Sequence, residues 1–142
     1  MVDFGDTHWN ILSAIKTKLE ELESSGDLKE VTIGELKTVP PDKFPICFII
    51  PKRDPEVWAT GNELLHKLRS WIVVLVRGAD PLETQEDIVK LSGKVHDKIK
   101  EDLTLGGTCE NINFNERIFD YSLGKDYVLN WSVTEIDCEV EE

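Results

Sequence analysis

Histidines, cysteines and paired carboxylates are the side chains from which a small chain builds a nucleophile, an acid–base pair or a metal centre. Here they are spaced for none of these. Cys47, Cys109 and Cys138 form no Cys-x-x-Cys pair, and His8, His66 and His96 fall in no ligand-like pattern with them. Buried free thiols acting as small apolar residues are expected, with neither a disulfide nor a metal framework. Gly106-Gly107-Thr108 has neither the spacing nor the lysine of a phosphate-binding loop, so it is predicted to be a helix C-cap turn. His96 lies near Asp97 and Lys100 on a helical stretch, which predicts a solvated helix face. His66 shares strand parity with Leu68 and Ile72, which predicts a core-edge or interface residue rather than a base. Carboxylates are abundant, yet spacing singles out no pair for acid–base work. No catalysis and no cofactor are expected; a small enzyme with a loop-built site is the weaker alternative.

What remains is charge and aromatic surface. The chain of 142 residues carries a net charge of -12, and such a protein is repelled by phosphate backbones. Its basic residues are scattered, and the nearest cluster, Lys94, Lys98 and Lys100, shares its helix with Asp97 and Glu101. Stable nucleic-acid binding is not expected. Glu135, Asp137, Glu139 and Glu141 alternate with apolar residues and make an acidic stripe on one strand face. The stripe is either a solvated sheet edge that resists strand addition or a channel wall that repels DNA. Trp58, on the polar loop 52–61, is either tucked against its own sheet or an interface anchor. With Arg53 and Arg69 it forms the candidate patch able to grip an acidic neighbour, while Glu135, Asp137 and Glu139 supply the opposite charge.

The elements that must position these residues follow from periodicity. Ile11, Ile15, Leu19 and Leu22 recur at helical spacing behind Asp6, the expected cap, and Ser24-Ser25-Gly26 stops the helix. Strands are predicted over 29–36, where Val31 and Ile33 alternate, over the apolar run 44–50, and over 64–77. The last is apolar on both faces from Trp71 to Val76, as in a central strand. That run is far too short to span a bilayer, and the acidic N-terminus is no secretory signal, so cytosolic folding is expected. Asp80-Pro81-Leu82-Glu83 starts a second helix carrying Ile88, Leu91, Val95 and Ile99 on one face, and Gly93 within it predicts close packing. Two strands joined by Gly124-Lys125-Asp126 follow. Apolar residues switch from odd positions (Leu129, Trp131, Val133) to even ones (Ile136, Cys138, Val140), which predicts a β-bulge near Thr134-Glu135.

The expected fold is a single α+β domain over 1–142, with order helix, three strands, helix, two strands. Both helices should pack on one face of a single mixed or antiparallel sheet. Two helices cannot cover both faces, so the apolar second face of 44–50 and 71–76 should meet loops, sheet curvature or another subunit.

Particular stretches add a family resemblance. Ile11-Leu12-Ser13-Ala14-Ile15, Phe44-Pro45-Ile46-Cys47-Phe48-Ile49, the central run Trp71 to Val76 and the turn Asp102-Leu103-Thr104-Leu105-Gly106-Gly107 occur in the order found in phage tail-terminator, or tail-completion, proteins. The chain resembles that family over nearly its whole length, except the acidic segment 135–142. The resemblance implies a structural virion protein that forms a homo-hexameric ring, caps the tail tube and meets the head connector. It implies residence in the host cytoplasm during assembly and then in the virion, with no membrane role. An acidic interaction adaptor of a cellular complex is the alternative from composition.

Overall fold

A computed structural model describes residues 3–35, 38–54 and 65–141. The two apolar stripes form α1 (Phe4–Ser24) and α2 (Pro81–Lys100). The strands are β1 (Glu30–Ile33), β2 (Ile46–Arg53), β3 (Leu65–Gly78), β4 (Asn111–Leu123) and β5 (Val128–Glu141), so the element order and the α+β class are as expected. They make one five-stranded sheet in the order β1-β2-β3-β5-β4. Among the described residues β1 and β2 run parallel and the other pairs are antiparallel. Among the described residues no helix is long and apolar enough to cross a membrane.

Both helices lie on one face of the sheet. Ile11, Ile15 and Leu19 of α1 and Ile88, Leu91, Val95 and Ile99 of α2 are buried against Cys47 and Ile49 of β2, Leu68, Ile72 and Val74 of β3, and Ile136 and Cys138 of β5. These strand residues share one parity in register: Cys47 faces Val74, Ile49 faces Ile72, and Leu68 faces Cys138. The three cysteines are free and buried. Burial pushes the Cys47 thiol up to about 12, and Cys138 is held high by its bond to Cys109 and by burial.

Several local expectations change. The cap of α1 is Asp3, whose carboxylate accepts the Asp6 N–H at 3.1 Å; Asp6 sits one turn inside. The cap of α2 is Asp80, accepting the amides of Leu82 and Glu83 at 2.9 and 3.2 Å, with Pro81 at the first helical position. Gly93 marks no close packing, since a Cβ there would meet nothing within 4 Å. The bulge lies in β4, between Phe114 and Glu116, while β5 pairs with β3 without a shift from Val128 to Glu141.

The turn after α2 is held by one side chain. Asp102 accepts from the Thr104 amide and hydroxyl at 3.2 and 2.9 Å and from the Gly106 amide at 2.8 Å. Those bonds, the Gly106 amide foremost, hold its carboxyl below the usual carboxylate range. Leu105, Gly106 and Gly107 then take φ of 49°, 69° and 88°. Glycine adopts this region freely, whereas Leu105 accepts a cost of about 1–2 kcal/mol to place its side chain in the core.

Candidate functional site

The face of the sheet away from the helices is divided into an apolar half and an ionic half. Three in-register rows cross it: Ile46, Leu75 and Trp131; Phe48, Val73 and Val133; Ile50, Trp71 and Glu135. Ile46, Phe48 and Val73 form a small second core, partly covered by Val39 and Phe44 from the preceding segment. Beyond that cover lies a shallow cavity of about 350 Å³, lined by Phe48, Ile50, Trp71, Val73 and Trp131 among others, with Glu35 and Lys52 at its rim. The Lys52 ammonium stands 3.9 Å above the Trp71 ring, a cation–π contact that sets a positive charge beside the apolar floor.

The ionic half holds most of the residues singled out by sequence. Arg69 grips Asp137 with two bonds, Nε to Oδ1 at 2.9 Å and Nη2 to Oδ2 at 3.1 Å, and its Nε lies 3.5 Å from Glu135. Asn115, the extra residue of the β4 bulge, donates to Asp137 at 2.9 Å, and Asn113 donates to Glu139. Asp137 is only 5% exposed. Burial pushes its carboxyl up, but the bonds from Arg69 and Asn115 outweigh that and hold it below the ordinary range. The Arg69 guanidinium is held up chiefly by its bond to Asp137.

Arg69 and the acidic stripe are therefore one cluster, not two separate patches. Nor is the stripe a sheet edge, because β5 lies between β3 and β4. Arg53 is exposed at the end of β2, opposite Arg69 across a register shift. Trp58 and most of its loop fall outside the described residues.

A relay buried at its histidine and serine, and open to solvent at its carboxylate, joins three distant residues. His8 of α1, 5% exposed, places Nδ1 at 2.5 Å from Asp54 Oδ1 and Nε2 at 2.9 Å from Ser70 Oγ. An ionised Asp54 can only accept, so Nδ1 carries a proton, and in the neutral ring Nε2 accepts from the Ser70 hydroxyl. The order of groups is that of a hydrolase triad, in which a histidine bridges a carboxylate and a nucleophile. However, Ser70 is fully buried in mid-β3, so no substrate carbonyl can reach its oxygen. The relay is a clamp that ties α1 to β3 and to the end of β2. Its members lie 46 and 62 residues apart in sequence, and no local pattern announces it.

The other histidines also find specific places. His66 is buried and meets Phe4 edge-to-face, with centroids 5.1 Å apart. His96 does not lie on a solvated face: its ring stacks on Phe114 at 4.0 Å, and its Nδ1 accepts from Arg117. Burial and then the Arg117 charge lower its pKa, which keeps it a neutral acceptor. Among the described residues no group of histidine, cysteine and carboxylate could hold a metal ion. No protein-family model matches the chain, and no curated protein matches it in sequence.

Proposed function

We propose that this protein is a structural subunit of a phage tail, a tail-terminator-like ring that caps the tail tube and presents a surface to the head connector. The observation that carries this reading is the helix-free sheet face. A compact domain with two helices has left Phe48, Ile50, Trp71 and Trp131 around an open apolar cavity, next to an internally paired ionic cluster. Aromatic side chains around an apolar floor, rimmed by charge, have the composition of an interface core. The likeness of the helices, the Phe-Pro-Ile strand and the Asp-x-Thr-Leu-Gly-Gly turn to the tail-terminator family supplies the identity of the partners: neighbouring copies, the tail-tube protein and the connector. The charge of -12 suits a ring through which DNA passes without adhering. In this reading the protein has no catalytic step and no cofactor.

Deletion of the gene from its parent phage should give tails of uncontrolled length, or tails that fail to join heads. Trp131→Glu should leave the far-UV circular dichroism unchanged and reproduce that defect. Normal virions from the deletion would remove the proposed function; normal virions from Trp131→Glu alone would move the interface off this face.

A further inference from the structure

The outer edge of β4 offers a second interaction surface. β4 is thirteen residues long and outermost in the sheet, with β5 on one side and no strand on the other among the described residues. Ile118, Phe119, Tyr121 and Leu123 are 54%, 44%, 61% and 67% exposed. Sheet edges are normally blunted by lysine, proline or a bulge. The bulge of β4 falls at its beginning, and no lysine, proline or glycine occurs from Arg117 to Leu123.

The ladder fixes which main-chain groups point outward. Gly124 N–H donates to Tyr127 O at 2.8 Å, and inward bonds alternate along an antiparallel pair. Arg117, Phe119, Tyr121 and Leu123 therefore direct their N–H and C=O groups away from β5. The Tyr121 N–H agrees, because it donates to the side chain of Asp120 at 2.8 Å rather than to β5.

The geometry points to a second copy of this chain as the partner, with β4 pairing antiparallel to its twin about a two-fold axis at Phe119. Charge selects that register. Facing residues in such a pair share a face, so a symmetric pairing centres on a single residue. Centred on Phe119, Arg117 faces Tyr121, Glu116 faces Ser122 and Asp120 faces Ile118, with no like charges opposed. Centring on Ile118 sets Glu116 against Asp120, and centring on Asp120 sets that residue against itself. Centring on Arg117 opposes two guanidinium groups, and centring on Tyr121 sets Arg117 against Lys125 and Glu116 against Asp126. The Phe119 register also matches outward groups to outward groups. Asp120 holds the edge back by occupying the Tyr121 N–H, and must release it when the strands join. This pairing rests on the edge alone and not on the proposed tail role.

Sedimentation velocity over a concentration series, with mild oxidation of variants carrying one added cysteine on β4, tests the pairing. The wild type should show a monomer–dimer equilibrium, which Asp120→Ala shifts to lower concentration. Tyr121→Pro, which removes an outward N–H, should stay monomeric with unchanged circular dichroism. Phe119→Cys should cross-link to a dimer, whereas Arg117→Cys should not, because the two copies of that position lie about four residues apart along the paired strands. Wild-type protein, whose cysteines are buried, is the control. Monomeric behaviour of both the wild type and Asp120→Ala at every concentration would overturn the proposal. So would a dimer that survives Tyr121→Pro and leaves Phe119→Cys uncross-linked.

Discussion

The pair of Arg69 and Asp137 should contribute far more than a surface ion pair. Asp137 is nearly buried, with a side chain 8% exposed, whereas that of Arg69 is 32% exposed. Breaking a fully buried pair costs about 3–5 kcal/mol, because one charge is left without its partner. Here solvent reaches Arg69, and Asn115 would still donate to Asp137, so Arg69→Met should cost about 2–3 kcal/mol. Exposed pairs seldom exceed about 1 kcal/mol. Urea denaturation of the wild type, Arg69→Met, Asp137→Asn and the double variant completes a cycle, and a coupling of about 1.5–3 kcal/mol is expected. Acid gives an independent sign. Because the folded carboxyl of Asp137 titrates below its ordinary value, its contribution is complete above the unfolded value of about 3.9 and disappears as pH falls through the folded one. The gap between wild type and Arg69→Met should therefore be full at pH 7 and close below about pH 4. A coupling under about 0.5 kcal/mol, the scale of an exposed pair, would refute the reasoning.

Three further outcomes follow from particular residues. Gly93→Ala should stabilise by about 0.5–1 kcal/mol, since the added methyl meets nothing and removes backbone freedom from the unfolded chain; a lower urea midpoint would reveal an unseen clash. His8→Ala should cost about 1–3 kcal/mol by stranding the buried Ser70 hydroxyl, and an unchanged midpoint would show that the clamp is slack. Duplex DNA should not shift with micromolar protein at low salt, as the net charge of -12 requires; tight, salt-sensitive binding would overturn both the charge argument and the channel reading.

The layers of the fold were legible because helix and strand periods differ, and Ile11, Ile15, Ile88 and Val95 repeat at one period while Val31 and Ile33 repeat at the other. β5 shows where that logic fails. Its apolar residues change parity because its two ends serve different faces: Trp131 and Val133 lie on the helix-free side, whereas Ile136 and Cys138 lie under the helices. On paper that pattern resembles a slipped register, yet the strand continues without a shift while polar Asn130, Ser132 and Thr134 fill the helix side. Asp3 and Asp6 are chemically equal candidates for the cap of α1, and only the chain path chooses between them. The contacts of Arg69 with Asp137 and of His8 with Asp54 and Ser70 join residues tens of positions apart. Arg69, nominated from sequence for an interface, and His8 also fasten distant parts of the fold to one another. One practical result is that Arg69→Glu would set another carboxylate among Glu135 and Asp137, so it tests stability more than assembly.

The long seam between β3 and β5 has a bearing on synthesis. β3 is complete at Gly78, but the strand beside it is the last in chain order, with Gly78 facing Val128 and Leu65 facing Glu141. A ribosome must add α2, β4 and β5 before that flank is closed. At about 5–20 residues per second the delay is roughly 3 to 13 s. Throughout that interval the nascent chain presents Trp71 to Val76 beside an unpaired backbone, the arrangement most prone to pairing with another chain. The finished sheet is continuous, but its centre closes late, so translation speed and chaperone cover should govern the yield of folded protein as strongly as its final stability does.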